Sequence, residues 1–151
     1  MSKSQQLQIQ CPECGAKGYF TIWESVNTKL DPDLKQKVIS GDLFKWTCPL
    51  CGKSFDVKYP MLYHDMVGKK LIEFRPPEPG QQRDTSENPM YQMFIIQGYT
   101  VQYAYTLQEL SQKITGGSNP STPIPTQGTN PSKNYESHND TANHIAKKWK
   151  R

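Results

Sequence analysis

The chain has 151 residues, 34% of them apolar, and a formal net charge of +4, a length that suits one domain with extra chain rather than a multidomain machine. The longest apolar run is Met93-Phe94-Ile95-Ile96, against the roughly 18 residues of a membrane span, and the opening Met-Ser-Lys-Ser-Gln-Gln lacks the apolar region of a secretory signal. These features predict a cytoplasmic protein with no membrane partner.

Position matters more than the total charge. Lys147, Lys148, Lys150 and Arg151 supply the whole excess, and residues 1–146 hold 14 basic and 14 acidic side chains. The body is therefore neutral and carries no electrostatic footprint of a phosphate binder. Apolar residues are just as unevenly spread: 46 of the 52 fall in residues 1–115 and 6 in residues 116–151. So few cannot offset the entropy of ordering a backbone, which predicts a domain over 1–115 and a flexible tail over 116–151.

Leu7-Gln8-Ile9-Gln10 alternates apolar and polar residues and runs into Cys11-Pro12-Glu13-Cys14-Gly15, after which Tyr19-Phe20-Thr21-Ile22-Trp23 is rich in β-branched and aromatic side chains. The pattern predicts strand, knuckle, strand. The same grammar returns in Leu43-Phe44-Lys45-Trp46-Thr47, Cys48-Pro49-Leu50-Cys51-Gly52 and Phe55-Asp56-Val57-Lys58-Tyr59. Between the two, Asp31 suits an N-cap, Pro32 the first helical position and Gly41 a C-terminal stop, and Leu30, Leu34, Val38 and Ile39 would face a small sheet.

Further strands are expected over residues 60–63 and 70–74 around a turn at Gly68. A Pro-rich loop then spans residues 76–90. Residues 93–97 and 100–105 read as a hairpin around Gly98, with Val101, Tyr103 and Tyr105 on one face. Thr106-Leu107-Gln108-Glu109 fits a capping box, with Leu107, Leu110 and Ile114 at helical spacing until Gly116-Gly117. In the tail, residues 140–150 set Ala142, Ile145, Ala146 and Trp149 on one side of a transient helix that would be marginal alone in water.

Chemistry concentrates in the cysteines. All four lie in two Cys-x-x-Cys pairs separated by 33 residues. Two such turns face to face present Cys11, Cys14, Cys48 and Cys51 as the four-thiolate tetrahedral shell that zinc prefers, which predicts one Zn2+ per chain. The inserted helix explains a gap longer than the common 15–20 residues. A glycine after each second cysteine accepts positive φ, letting the knuckle close and aim backbone N–H groups at the sulfurs. A dithiol redox centre would need one pair at a helix N-terminus, whereas both pairs here follow strands. A redox-responsive zinc-thiolate site remains the alternative, with structural disulfides below it for want of any sign of an oxidising compartment.

His64, in Tyr63-His64-Asp65, is the one histidine with a carboxylate beside it in sequence, but neighbours on a strand point to opposite faces, so a structural role is expected. His138 and His144 are too awkwardly spaced to act as ligands. No phosphate loop, nucleophile elbow or dinucleotide fingerprint is present, so no catalytic residue is assigned.

The paired Cys-Pro-x-Cys knuckles, with Trp23-Glu24-Ser25-Val26-Asn27, Asp31-Pro32-Asp33-Leu34-Lys35 and Pro60-Met61-Leu62-Tyr63-His64-Asp65, resemble the CpXC domain family of prokaryotic proteins, over roughly residues 7–115. The resemblance implies a metal held by Cys11, Cys14, Cys48 and Cys51 and brings no activity with it. The expected fold is α+β: small antiparallel sheets with zinc-ribbon-like paired knuckles, one inserted helix, a second unit of strand hairpin plus helix, and a disordered C-terminal tail. The expected function is a zinc-stabilised interaction or adaptor module. Its protein partner would be met by exposed aromatics among Trp23, Trp46, Tyr99, Tyr103 and Tyr105, though such residues in small domains are commonly core, and by Ile145 and Trp149 of the tail. The alternative of a nucleic-acid-binding zinc ribbon rests on the basic terminus alone and would be weak.

Overall fold

A computed structural model describes residues 2–116. The first knuckle joins β1 (Lys3–Gln10) to β2 (Lys17–Asn27), which pair antiparallel. After α1 (Pro32–Ser40) and a single 3-10 turn (Asp42–Phe44), the second knuckle joins β3 (Lys45–Thr47) to β4 (Ser54–Asp56) in a separate two-stranded sheet. Then come β5 (Met61–Asp65) and β6 (Lys70–Phe74), a 3-10 turn (Pro89–Tyr91), α2 (Gln92–Ile96), β7 (Thr100–Ala104) and α3 (Leu107–Thr115). The class is α+β, as the sequence implies.

The main sheet has the order β1-β2-β5-β6-β7. It is mixed: β1–β2 and β5–β6 are antiparallel, whereas β2–β5 and β6–β7 are parallel. Parallel neighbours need a crossover, and the one between β2 and β5 contains α1 and the whole second knuckle. One local expectation fails here. Residues 93–97 form α2, not a strand, and β7 takes its sheet partner from β6, so the hairpin around Gly98 does not form. Asn88 starts this segment, its side chain accepting from Met90 N at 3.0 Å, with Pro89 at the first position. That start signal and the inward demand of Tyr91 and Phe94, three residues apart, outweigh the β preference of Ile95 and Ile96.

The helix over 32–40 forms as expected, with Leu34 and Val38 buried and Gly41 in the left-handed C-cap. Asp31 makes no side-chain capping bond, so Pro32 sets the start. Leu30 stays exposed. The capping box is present in a shifted form: Glu109 N donates to Thr106 Oγ1 at 3.1 Å, and Glu109 Oε2 accepts from Tyr105 N at 2.8 Å.

α1 and α3 lie on one face of the sheet, where Lys35 of α1 reaches Asp65 and Lys70 reaches the final carbonyls of α3. α2 covers part of the other, where Phe94 meets His64 and the sheet neighbour Leu71 is fully buried. Trp46 of β3 donates from Nε1 to Tyr19 O of β2 at 3.2 Å, joining the two sheets, and the segments flanking the second sheet are seated through aromatic side chains. Phe44 packs on Tyr59 and on Phe74, and Tyr59 donates from its hydroxyl to Leu43 O at 2.8 Å. Among the described residues no helix is long and apolar enough to cross a membrane. The tail expectations for Ile145, Trp149, His138 and His144 lie outside them.

Candidate metal centre

Each knuckle closes by the same two backbone bonds. In the first, Cys11 N donates to Ala16 O at 2.8 Å and Gly15 N to Cys11 O at 2.9 Å; in the second, Cys48 N donates to Lys53 O at 2.8 Å and Gly52 N to Cys48 O at 3.0 Å. Such a turn requires a left-handed residue after the second cysteine. Gly15 has φ +73° and Gly52 φ +70°, a conformation that costs a residue with a Cβ.

The closed turns bring Cys11, Cys14, Cys48 and Cys51 together, with all four sulfurs within 4.8 Å of one another. Cys11 Sγ lies 3.7 Å from Cys51 Sγ, and Cys14 Sγ 3.6 Å from Cys48 Sγ. A tetrahedral ion with bonds of about 2.3 Å would set its sulfurs about 3.8 Å apart. The cluster thus has the dimensions of a four-thiolate shell that can hold one metal ion, and what the ion would supply is a cross-link between the two knuckles. In each knuckle the first cysteine is buried and the second exposed, so the cluster is seated in the core through Cys11 and Cys48 and opens to solvent through Cys14 and Cys51.

Backbone N–H groups at the sulfurs prepare them for a cation. Those of Cys51 and Leu50 draw the Cys48 thiol down to about 6 against the opposing effect of burial. At Cys14 the N–H of Ala16 works in the same sense, but burial and the neighbouring thiols of Cys48, Cys11 and Cys51 outweigh it and push the group up to about 12. At Cys51 the Lys53 N–H is likewise overcome by burial and by Cys48 and Cys11. One thiolate suppresses the ionisation of its neighbours. A divalent cation removes that conflict, since coordinated thiols are deprotonated outright.

His64 and Asp65 point to opposite faces of β5. His64 Nε2 lies 3.3 Å from Tyr99 Oη, its ring packs against Phe94 and Tyr99, and burial lowers its pKa. Asp65 turns to the helix face, accepting from Gly68 N at 2.8 Å, Val67 N at 3.1 Å and Lys35 Nζ at 3.3 Å. The two are not brought together. The aromatics considered as contact residues are largely engaged within the domain. Trp46 is buried and Trp23 packs against the core. Tyr103 accepts from Asn88 N and lies under Arg75, while Tyr105 donates to Asp84 O.

A different exposed surface was missed by reading residues 93–97 as a strand. Met90, Met93, Ile95 and Ile96 all face solvent. The Asn88-Pro89 pair, an N-cap followed by the first helical position, was the signal that could have revealed it.

A family model described as CpXC protein matches residues 9–120. No curated protein and no solved structure matches the chain.

Proposed function

The chain belongs to the CpXC family, and from that premise we propose that it is a zinc-stabilised protein-interaction or adaptor module of the cytoplasm rather than an enzyme. The observation that carries this reading is the closure of the sulfur cluster. Two knuckles supply four donors to one point, and a tetrahedral ion held by four thiolates has no position left for water or substrate. Zinc suits the donor set because it takes four thiolates in a tetrahedral shell and has no redox chemistry of its own. The separation of His64 from Asp65 favours binding over acid–base catalysis, and the exposed aliphatic side chains of α2 offer a surface suited to contact. Ile145 and Trp149 are further contact residues in this reading. The cations of residues 147–151 add only a shallow, sequence-blind attraction to nucleic acid, because so few charges neutralise few phosphates.

The test has two arms on the intact chain. Elemental analysis of protein purified without added metal is expected to give about one zinc per chain; no metal at near-stoichiometric level would overturn the site. Partner capture read by mass spectrometry is expected to weaken more with Trp149→Ala than with Lys150→Ala. Tight binding of DNA or RNA with a steep salt dependence would replace this reading with a nucleic-acid one.

A further inference from the structure

The two edges of the main sheet are unlike, and β7 is the guarded one. Arg75 N donates to Ala104 O at 2.8 Å on the β6 side, so by alternation the carbonyl of Tyr103, one residue back, turns outward. There Lys113 Nζ caps it at 2.8 Å. The Pro-rich loop is held alongside, with Asn88 N donating to the Tyr103 hydroxyl at 3.1 Å and Arg75 lying over the ring.

β1 has no such guard. Cys11 N donates to Ala16 O across the first hairpin, so by the same alternation Ile9, Leu7 and Gln5 turn their N–H and C=O groups toward β2, and Gln10, Gln8 and Gln6 turn theirs outward. All three of these glutamines are exposed, and among the described residues no hydrogen bond reaches their outward backbone groups. Residues 4–10 pair with β2 in unbroken register, the shift lying between Lys3 and Ser4, and they contain no proline and no charge. Native edge strands are normally blunted by a bulge, a proline, a charge or a cover.

We propose that β1 is a self-association edge: a second copy of the chain pairs its own β1 antiparallel about a two-fold axis at Leu7, so that two five-stranded sheets become one continuous sheet. The inference stands apart from the interaction-module reading. Three observations select a second copy as the occupant.

The first is register. Leu7 is the midpoint of the uncharged run from Ser4 to Gln10. An axis there sets Ser4 opposite Gln10 and Gln6 opposite Gln8, positions whose backbone groups all point outward, so each pair exchanges both of its N–H···O bonds. Leu7, with its own groups turned to β2, takes the close position against its image, at a Cα separation of about 4.5 Å.

The second is cover and charge. Leu7 is half-buried, packed against the core with Phe20 as its β2 partner, and its image covers the side left open. The antiparallel sense carries Lys3 of each copy to the far end of the pair, so no like charges oppose. A foreign strand would meet a row of uncharged side chains that offers no charge pattern to select it.

The third is closure. The contact uses the same edge of both copies, and what remains at the two ends of the joined sheet is the guarded edge of β7. Growth therefore stops at two chains, as an isologous interface requires.

Sedimentation velocity of the full-length, metal-loaded chain over a wide range of concentration tests the pairing, together with amide hydrogen exchange read by NMR. The expected species has twice the 17.3 kDa of one chain, and the Gln6, Gln8 and Gln10 amides are slow to exchange only where it is populated. Gln8→Pro removes an outward N–H and leaves the β1–β2 ladder whole. It should weaken the dimer about ten- to a hundredfold, because symmetry deletes two bonds at once, whereas Gln8→Ala should not. Gln6→Lys combined with Gln8→Lys sets like charges directly opposite and should dissociate the pair; Gln6→Lys combined with Gln8→Glu sets opposite charges there and should keep it. Metal content and near-UV circular dichroism confirm that each variant is folded. A single-chain mass at every concentration would overturn the inference, whether the Gln8 amide exchanges freely, which leaves the edge to another protein, or is protected, which gives it to another segment of this chain. A dimer indifferent to Gln8→Pro and to the paired lysines would place the contact on another surface and overturn it equally.

Discussion

Gly18 and Trp46 meet with no room for one more carbon: a Cβ on Gly18 would lie 2.8 Å from Cζ2 of Trp46. The indole Nε1 donates to Tyr19 O at 3.2 Å, and Phe55, its cross-strand partner in β4, stacks on the indole at 6.1 Å between ring centroids. β2 of the first knuckle is thereby fitted to β3 of the second by an indole packed close on bare backbone. Gly18→Ala should force the indole aside and destabilise the fold by about 1–3 kcal/mol, as overpacking does. Urea unfolding followed by tryptophan fluorescence measures this, and metal content checked in parallel should stay near that of the wild type.

Cys48 is both a buried member of the core and a donor to the sulfur cluster. Zinc-finger peptides gain about 10–16 kcal/mol from structural zinc, as much as a whole domain's usual stability of about 5–15 kcal/mol. Cys48→Ser is therefore expected to lose metal and cooperative unfolding together, and a strong chelator should reproduce the loss in the wild type. Calorimetry with elemental analysis checks both. Cooperative unfolding retained without metal would show that the aromatic core suffices.

Acid should weaken the fold in two stages that specific substitutions separate. Burial lowers the pKa of His64, so folding favours the neutral ring, and its contribution is present above the unfolded value of about 6.5 and declines as pH falls below it. Burial alone would raise the pKa of Asp65, but the Gly68 N–H, Lys35 and the Val67 N–H outweigh it and hold the carboxyl below its usual range. That contribution is complete above the unfolded value of about 3.9 and is lost as pH falls through the lower folded value. Urea midpoints across pH should show the upper stage missing in His64→Gln and the lower one missing in Asp65→Asn. Asp65→Asn should also cost about 1–3 kcal/mol at neutral pH, because Lys35 loses its charged acceptor. Metal release in acid affects all three proteins alike, so the differences isolate the two groups.

Thr106 caps α3, and Glu109 ties that cap to the Pro-rich loop through Arg83 at 3.1 Å. Thr106→Ala is expected to cost about 1 kcal/mol. Glu109→Ala should in addition speed hydrogen exchange across residues 78–86, which Arg75 and Arg83 otherwise hold to the sheet edge.

The parts of this fold that are legible in the sequence are those whose cause is local. The knuckles announce themselves because Cys-Pro-x-Cys-Gly encodes a turn, its donors and its left-handed residue within five positions. Pro32 and Gly41 bracket α1 for the same reason, and Thr106 with Glu109 marks the start of α3. What escaped depends on distant partners. Ile95 and Ile96 suit a strand by propensity, and it takes the packing of Phe94 on His64 and Tyr99, added to the Asn88-Pro89 start, to make that segment helical. The parallel pairing of Val26 with Tyr63 has no local signature, since nothing in either strand names its neighbour. The grouping of Arg75 with Glu73, Asp84 and the ring of Tyr103 likewise appears only once the sheet is assembled.

The crossover between β2 and β5 bears on the order of events as the chain folds. Residues 28–60 must loop back before Ser25, Val26 and Asn27 can find Leu62, Tyr63 and His64, and closing a loop of that length costs entropy before the pairing rewards it. The first knuckle can form as soon as its own hairpin exists, and it can hold an ion by two sulfurs while the second is still unmade. An ion waiting there would catch Cys48 and Cys51 and shorten the search that β5 has left to make. Refolding from denaturant should then be faster with metal present from the start than with metal added late, making the ion a pacemaker of assembly as well as a staple of the finished domain.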